Sequence, residues 1–149
     1  MNKKQWMFLI LALLATFFIF SNSMQAAEAS SQRSGRLVAI IESISRFLGF
    51  TADTGVLTVF IRKGAHIAEF FLQSFFIGLI FVVGQKKFAE RIIYILFFGL
   101  LTGCVDEFIQ MFSSGRGSLV SDVFVDFTGV LLAVLVCLTA NRFRNKKTN

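Results

Sequence analysis

The chain has 149 residues, 55% of them hydrophobic, with 20 phenylalanines, no proline and a formal net charge of +6. A soluble domain runs about 45–50% apolar, and here the mean hydropathy is +0.71. The basic residues flank apolar blocks and are not interleaved with aromatics as a base-stacking surface needs, so the composition excludes nucleic acid as partner and implies membrane lipids.

Four blocks approach the roughly 20 apolar residues that a membrane span requires. They cover residues 6–24, 64–83, 92–112 and 119–139. They predict an all-α integral membrane bundle of four transmembrane helices, in one domain over residues 1–149. The first block reaches span length only by including Ser21 to Met24. It has a second reading: Lys3 and Lys4, a short apolar core and Ala27-Glu28-Ala29 fit a signal peptide with a small-residue cleavage site. The retained span is the preferred one.

Between the first two blocks, Ser21 to Gly35 is small and polar and reads as irregular. Beyond it, Leu37, Ile40, Ile41, Ile44, Phe47 and Leu48 recur on one helical face. They predict an additional amphipathic helix over residues 36–48, capped by Ser34 and closed by Gly49, with Arg36, Glu42 and Arg46 on its wet side. Two placements stay open: along the outer membrane surface or across the bundle mouth, and ordinary packing on the bundle.

The second span carries Arg62 and Lys63 at its mouth and His66 and Glu69 in its first turns. The third ends in Asp106, Glu107 and Gln110. The turn "SSGRG" supplies Arg116, and the fourth span opens with Asp122 and Asp126. Three spans thus place polar groups at one depth, while residues 70–83 and 92–101 read as dry. A charge in hydrocarbon costs at least about 2.5–3.5 kcal/mol, so these groups are expected to face one another. Glu69, Asp106, Asp122 and Asp126 outnumber Lys63 and Arg116, an excess of acid that calls for a proton or a cation. A carboxylate-bound Mg²⁺ or Ca²⁺ is left open, and one histidine excludes a multi-histidine metal centre.

Each residue also has a plain structural reading. His66 can be an interior hydrogen-bonded histidine, Glu107 a structural acid and Arg116 a tie within the turn. Asp122 can be a helix-start acid beside Ser118 or Ser121. Gly99, Gly103 and Gly129 suit close helix packing. Cys104 and Cys137 lie too far apart in depth for a bridge and read as small buried residues.

Nine basic residues (Lys3, Lys4, Lys86, Lys87, Arg91, Arg142, Arg144, Lys146, Lys147) lie on one side of an even number of spans. Six (Arg33, Arg36, Arg46, Arg62, Lys63, Arg116) lie on the other. The richer side is read as cytoplasmic, with both termini inside.

"RKGAHIAEF" from Arg62 and "DEFIQMFSSGRGSLVSDVFVDFTG" from Asp106 resemble the VanZ-like family of small bacterial membrane proteins. The polar "FSNSMQAAEASSQRSG" after the first span is similar too, and the kinship favours a retained first span. Position by position, the resemblance marks Lys63, His66, Glu69, Asp106, Glu107, Gln110, Arg116, Asp122, Asp126 and Gly129. The chain departs in having Ser114-Gly115 where the family often has a proline before the arginine, and Phe70 where tyrosine is common. The family takes its name from a protein linked to teicoplanin (glycopeptide) resistance, so the resemblance implies a role at the bacterial cell envelope. The charged groups themselves fit three roles: binding a lipid-linked or phosphorylated envelope component, hydrolase or transferase chemistry on one, or scaffolding of a partner. A proton-coupled transporter would need polar groups along the dry halves.

Overall fold

The computed structural model describes residues 1–25, 27–47, 53–84 and 88–148. It has five helices: α1 Lys3–Ser23, α2 Ala27–Phe47, α3 Thr54–Val83, α4 Phe88–Gln110 and α5 Val120–Thr148. No strand occurs among the described residues. α1, α3, α4 and α5 are long and apolar enough to cross a membrane, and α2 lies between the first and second of these. The architecture is the all-α bundle that the apolar blocks predict.

Helix boundaries follow capping chemistry more closely than hydropathy. α1 opens with a reciprocal box in which Asn2 Oδ1 accepts from Gln5 N and Gln5 Oε1 accepts from Asn2 N, both at 2.9 Å. Asp53 caps α3 by accepting from the backbone N–H of Gly55 and Val56. α3 therefore starts at Thr54 rather than at Gly64, and Arg62 and Lys63 sit inside the helix. Charge at positions 62 and 63 does not mark where the helix begins.

α2 is longer than its apolar stripe. It begins at Ala27, so the segment expected to be irregular is helical from there, and Ser34 lies within the helix instead of capping it. Alanine, glutamate, glutamine and arginine between positions 27 and 36 are good helix formers, and they outweigh the serines. Leu48 and Gly49 lie outside the described residues. The stripe does not pack on the bundle: Ile44 is 54% and Phe47 90% exposed, whereas Val38 is buried. An exposed apolar stripe differs from ordinary packing on the bundle.

α3 is the central element and touches each of the other four helices. Ile19, Phe70, Ile95, Val130 and Cys137 fill the core around it. Two glycines let α5 come close. A Cβ on Gly78 would stand 2.4 Å from Cys137 Sγ, and one on Gly129 only 2.2 Å from the carbonyl oxygen of Ile67. Small residues at such crossings are how membrane helices gain contact without a hydrophobic driving force. Cys137 is buried as expected. Cys104 is exposed, because its face of α4 turns outward; both thiols are free.

The middle of the bundle is not uniformly dry. Gln73 Nε2 donates to Thr16 Oγ1 and to Thr102 Oγ1, both at 2.8 Å, joining α3 to α1 and α4. An uncharged amide within an apolar run is easily read through, yet each of its groups needs a partner in hydrocarbon.

Candidate functional site

The close approach of Gly129 to Ile67 fixes the register of α5 on α3. His66 precedes Ile67, and Asp126 lies almost one turn before Gly129, so the two side chains meet. His66 Nδ1 stands 3.5 Å from Asp126 Oδ1. Asp126 is 2% exposed, and its Oδ2 is buried with no hydrogen-bond partner among the described residues. The same register brings Lys63 Nζ within 3.2 Å of Asp122 Oδ1 at the rim.

α4 delivers Asp106, Glu107 and Gln110. Asp106 is fully buried. Its Oδ1 accepts from Ser23 Oγ at 2.5 Å and its Oδ2 from Gln110 Nε2 at 2.8 Å. Gln110 Oε1 is buried and unpartnered among the described residues. Glu107 turns to the cavity and the turn beyond it: its Oε2 accepts from Ser118 Oγ at 2.9 Å and from Leu119 N at 3.0 Å. It thereby ties the start of α5 to the end of α4, the structural role open to it from sequence.

α1 also reaches the site, which the sequence reading did not foresee. Asn22 Nδ2 donates to Glu69 at 2.9 Å, and Ser23 bonds Asp106 as above. The carbonyl of Ser23 accepts from Ser113 Oγ at 2.6 Å. The signal was present in "SNS", a polar triplet at the same depth as the charges. It is the last turn of α1.

The turn after α4 holds Gly115 at φ 74°, the left-handed region that glycine adopts freely. This lets the chain reverse without the family's proline and aims Arg116 back over the bundle. Arg116 is half-buried. Burial and the neighbouring Arg62 push its pKa down, while Asp106, Glu107 and Glu69 oppose that shift. Arginine stays charged regardless. Its Nε and Nη1 are shielded from solvent and have no acceptor among the described residues.

These groups surround a cavity of about 300 Å³. Arg62, Lys63, His66 and Arg116 supply its basic wall, and Glu107, Asp122 and Asp126 its acidic wall. Gln110 also lines it, and Val59, Leu119 and Val125 supply apolar surface. Asp106 and Glu69 are not on that wall. They sit behind it, within electrostatic reach of His66. One ligand atom from each of His66, Asp106 and Asp126 lies within 4.8 Å of the others. The hydroxyls of Ser23, Ser113 and Ser118 all donate to oxygens, so none of these serines is activated by His66.

No curated protein and no solved structure matches the chain. The family model described as VanZ/LLP1 matches residues 8–141, a stretch that runs from α1 into α5 and takes in every residue of the cavity. On that match, and with four membrane-spanning helices, the chain belongs to the VanZ/LLP1 family of membrane proteins.

Proposed function

We propose that the cavity binds a phosphate-bearing component of the bacterial cell envelope and opens on the outer face of the cytoplasmic membrane. The observation that carries this reading is Arg116, whose shielded Nε and Nη1 have no acceptor among the described residues. A buried donor without an acceptor is costly, and a guanidinium suits a phosphate by offering several charge-assisted N–H donors. Arg62, Lys63 and His66 add positive charge around the same space, while Asp122 and Asp126 offer acceptors for sugar hydroxyls. A volume of about 300 Å³ suits a headgroup. The lipid tail of such a ligand would stay in the bilayer beside α3 and α5.

The outward orientation is supported by nine basic residues on the far side of the spans against six on the cavity side. Both termini are then cytoplasmic. The exposed stripe of α2 lies on the cavity side too, where it would rest on the outer leaflet. A contribution to glycopeptide resistance of the teicoplanin type follows from the kinship and would act by occupying or shielding such an envelope component.

Hydrolase or transferase chemistry is a second reading, favoured by the His66–Asp126 pair, an arrangement suited to general acid–base work. One assay separates the readings. The purified full chain in nanodiscs is titrated with a short-chain polyprenyl phosphate, the matching polyprenyl alcohol and a soluble sugar phosphate. Saturable binding of the phosphate lipid but not the alcohol is the expected result, and chemical change of the bound lipid would assign the enzyme reading. Equal binding of phosphate and alcohol would contradict the proposal. The sugar phosphate tells whether the lipid tail contributes.

A further inference from the structure

The geometry points to a second, deeper site: His66, Asp106 and Asp126 form a binding site for one divalent transition-metal cation of the zinc class. The three residues come from α3, α4 and α5, and one ligand atom from each lies within 4.8 Å of the others. Metal bonds to imidazole nitrogen and carboxylate oxygen of about 2.0–2.2 Å hold the ligand atoms of a tetrahedral site about 3.3–3.6 Å apart. Side-chain rotations that draw these atoms inward by about 1 Å close the set around an ion.

An independent observation points to a ligand at this place. Asp126 is 2% exposed, and its Oδ2 has no hydrogen-bond partner among the described residues. A carboxylate oxygen buried without a donor is expensive, and a metal bond removes that cost. Charge agrees. Glu69, Asp106 and Asp126 act together on the single imidazole of His66, and Glu107 faces the turn beyond them. Arg116 is the basic group that faces the carboxylates from that turn. A dication offsets the remaining excess of acid.

The surroundings are those of held ligands. Ser23 and Gln110 each donate to one oxygen of Asp106, orienting the carboxylate and leaving lone pairs on both oxygens. One imidazole with two carboxylates differs from the all-oxygen sets that magnesium and calcium take, and suits zinc or manganese. Three protein ligands leave a coordination position, and because His66 and Asp126 line the cavity, that position faces it. A phosphate oxygen held by Arg116 could complete the set, but the cation site stands without that ligand.

The test uses the full chain in detergent, stripped with a chelator, re-exposed to zinc with excess magnesium and calcium present, desalted and assayed for metal. No phosphate lipid is added, so the outcome is separate from that of the anion-binding proposal. One zinc per chain is expected, unchanged in Cys104→Ser. In Asp126→Asn and His66→Ala, affinity should fall by more than about 100-fold, beyond the 10–100-fold loss typical of removing a residue that only orients a ligand, such as Gln110. Cobalt loaded in place of zinc should give ligand-field absorption without a thiolate charge-transfer band. If Asp126→Asn does not fold, the wild-type stoichiometry and the cobalt spectrum still decide. Absence of stoichiometric zinc from the wild type, a thiolate band, or full zinc in folded Asp126→Asn and His66→Ala would overturn the assignment.

Discussion

Ser23 ties α1 to α4 and to the turn after it: its hydroxyl donates to Asp106 Oδ1 at 2.5 Å, and its carbonyl accepts from Ser113 Oγ at 2.6 Å. The last turn of the first apolar block is therefore part of the polar cluster. A cleaved signal peptide would take with it the partners of Glu69 and Asp106. The intact mass of the membrane-extracted protein is expected to include α1. Ser23→Ala should lower thermal stability in detergent by about 1–2 kcal/mol, since it leaves a buried carboxylate oxygen short of a donor.

Asp106→Asn should behave differently from Asp106→Leu. Asparagine keeps an acceptor for Ser23, and its new amide donor can meet Gln110 Oε1 if that amide turns over, because Oε1 has no other partner among the described residues. Abundance and melting temperature of Asp106→Asn are expected to stay near wild type, by immunoblot and a thermal shift assay. Asp106→Leu strands both Ser23 and Gln110 and should lose about 1–3 kcal/mol. A loss of function in Asp106→Asn at normal abundance then reports on the charge, not the fold.

Much of the site was legible from charge and depth. Lys63, His66, Gln110, Arg116, Asp122 and Asp126 all line one cavity, because a charge that cannot face lipid has few other places to go. The helical class was equally plain from the apolar blocks. What stayed hidden was carried by uncharged residues. Asn22, Ser23, Thr16 and Gln73 join α1 to the rest through hydrogen bonds, and hydropathy gives them little weight. The early start of α3 was concealed for a similar reason: the Asp53 cap lies outside the apolar run it begins. That Asp106 lies beside His66 while Glu107 lines the cavity depends on the rotation of α4, which a spacing rule fixes only loosely.

Gly129 of α5, which faces α3, and Gly103 of α4, which faces α5, separate close approach from mere smallness. Gly129→Ala drives a methyl to 2.2 Å from the Ile67 carbonyl, against backbone that cannot yield cheaply. It should cost about 1–3 kcal/mol or more and disturb the His66–Asp126 pair. At Gly103 the nearest atom to an added Cβ is Val123 Cγ1 at 3.6 Å, ordinary contact. Gly103→Ala should therefore leave melting temperature and abundance unchanged in the same assay.

The central claim is that Arg116 anchors a phosphate. The most direct measurement is the affinity of the purified full chain for the short-chain polyprenyl phosphate, compared among wild type, Arg116→Lys and Arg116→Ala, with melting temperature recorded for each. Loss of a charge-assisted bidentate contact is worth about 1.5–3 kcal/mol, roughly a 10–150-fold weakening. Arg116→Ala should show a loss of that size at near-normal stability, with Arg116→Lys intermediate because it keeps the charge without the fork. Undiminished phosphate binding by a folded Arg116→Ala chain would contradict the account.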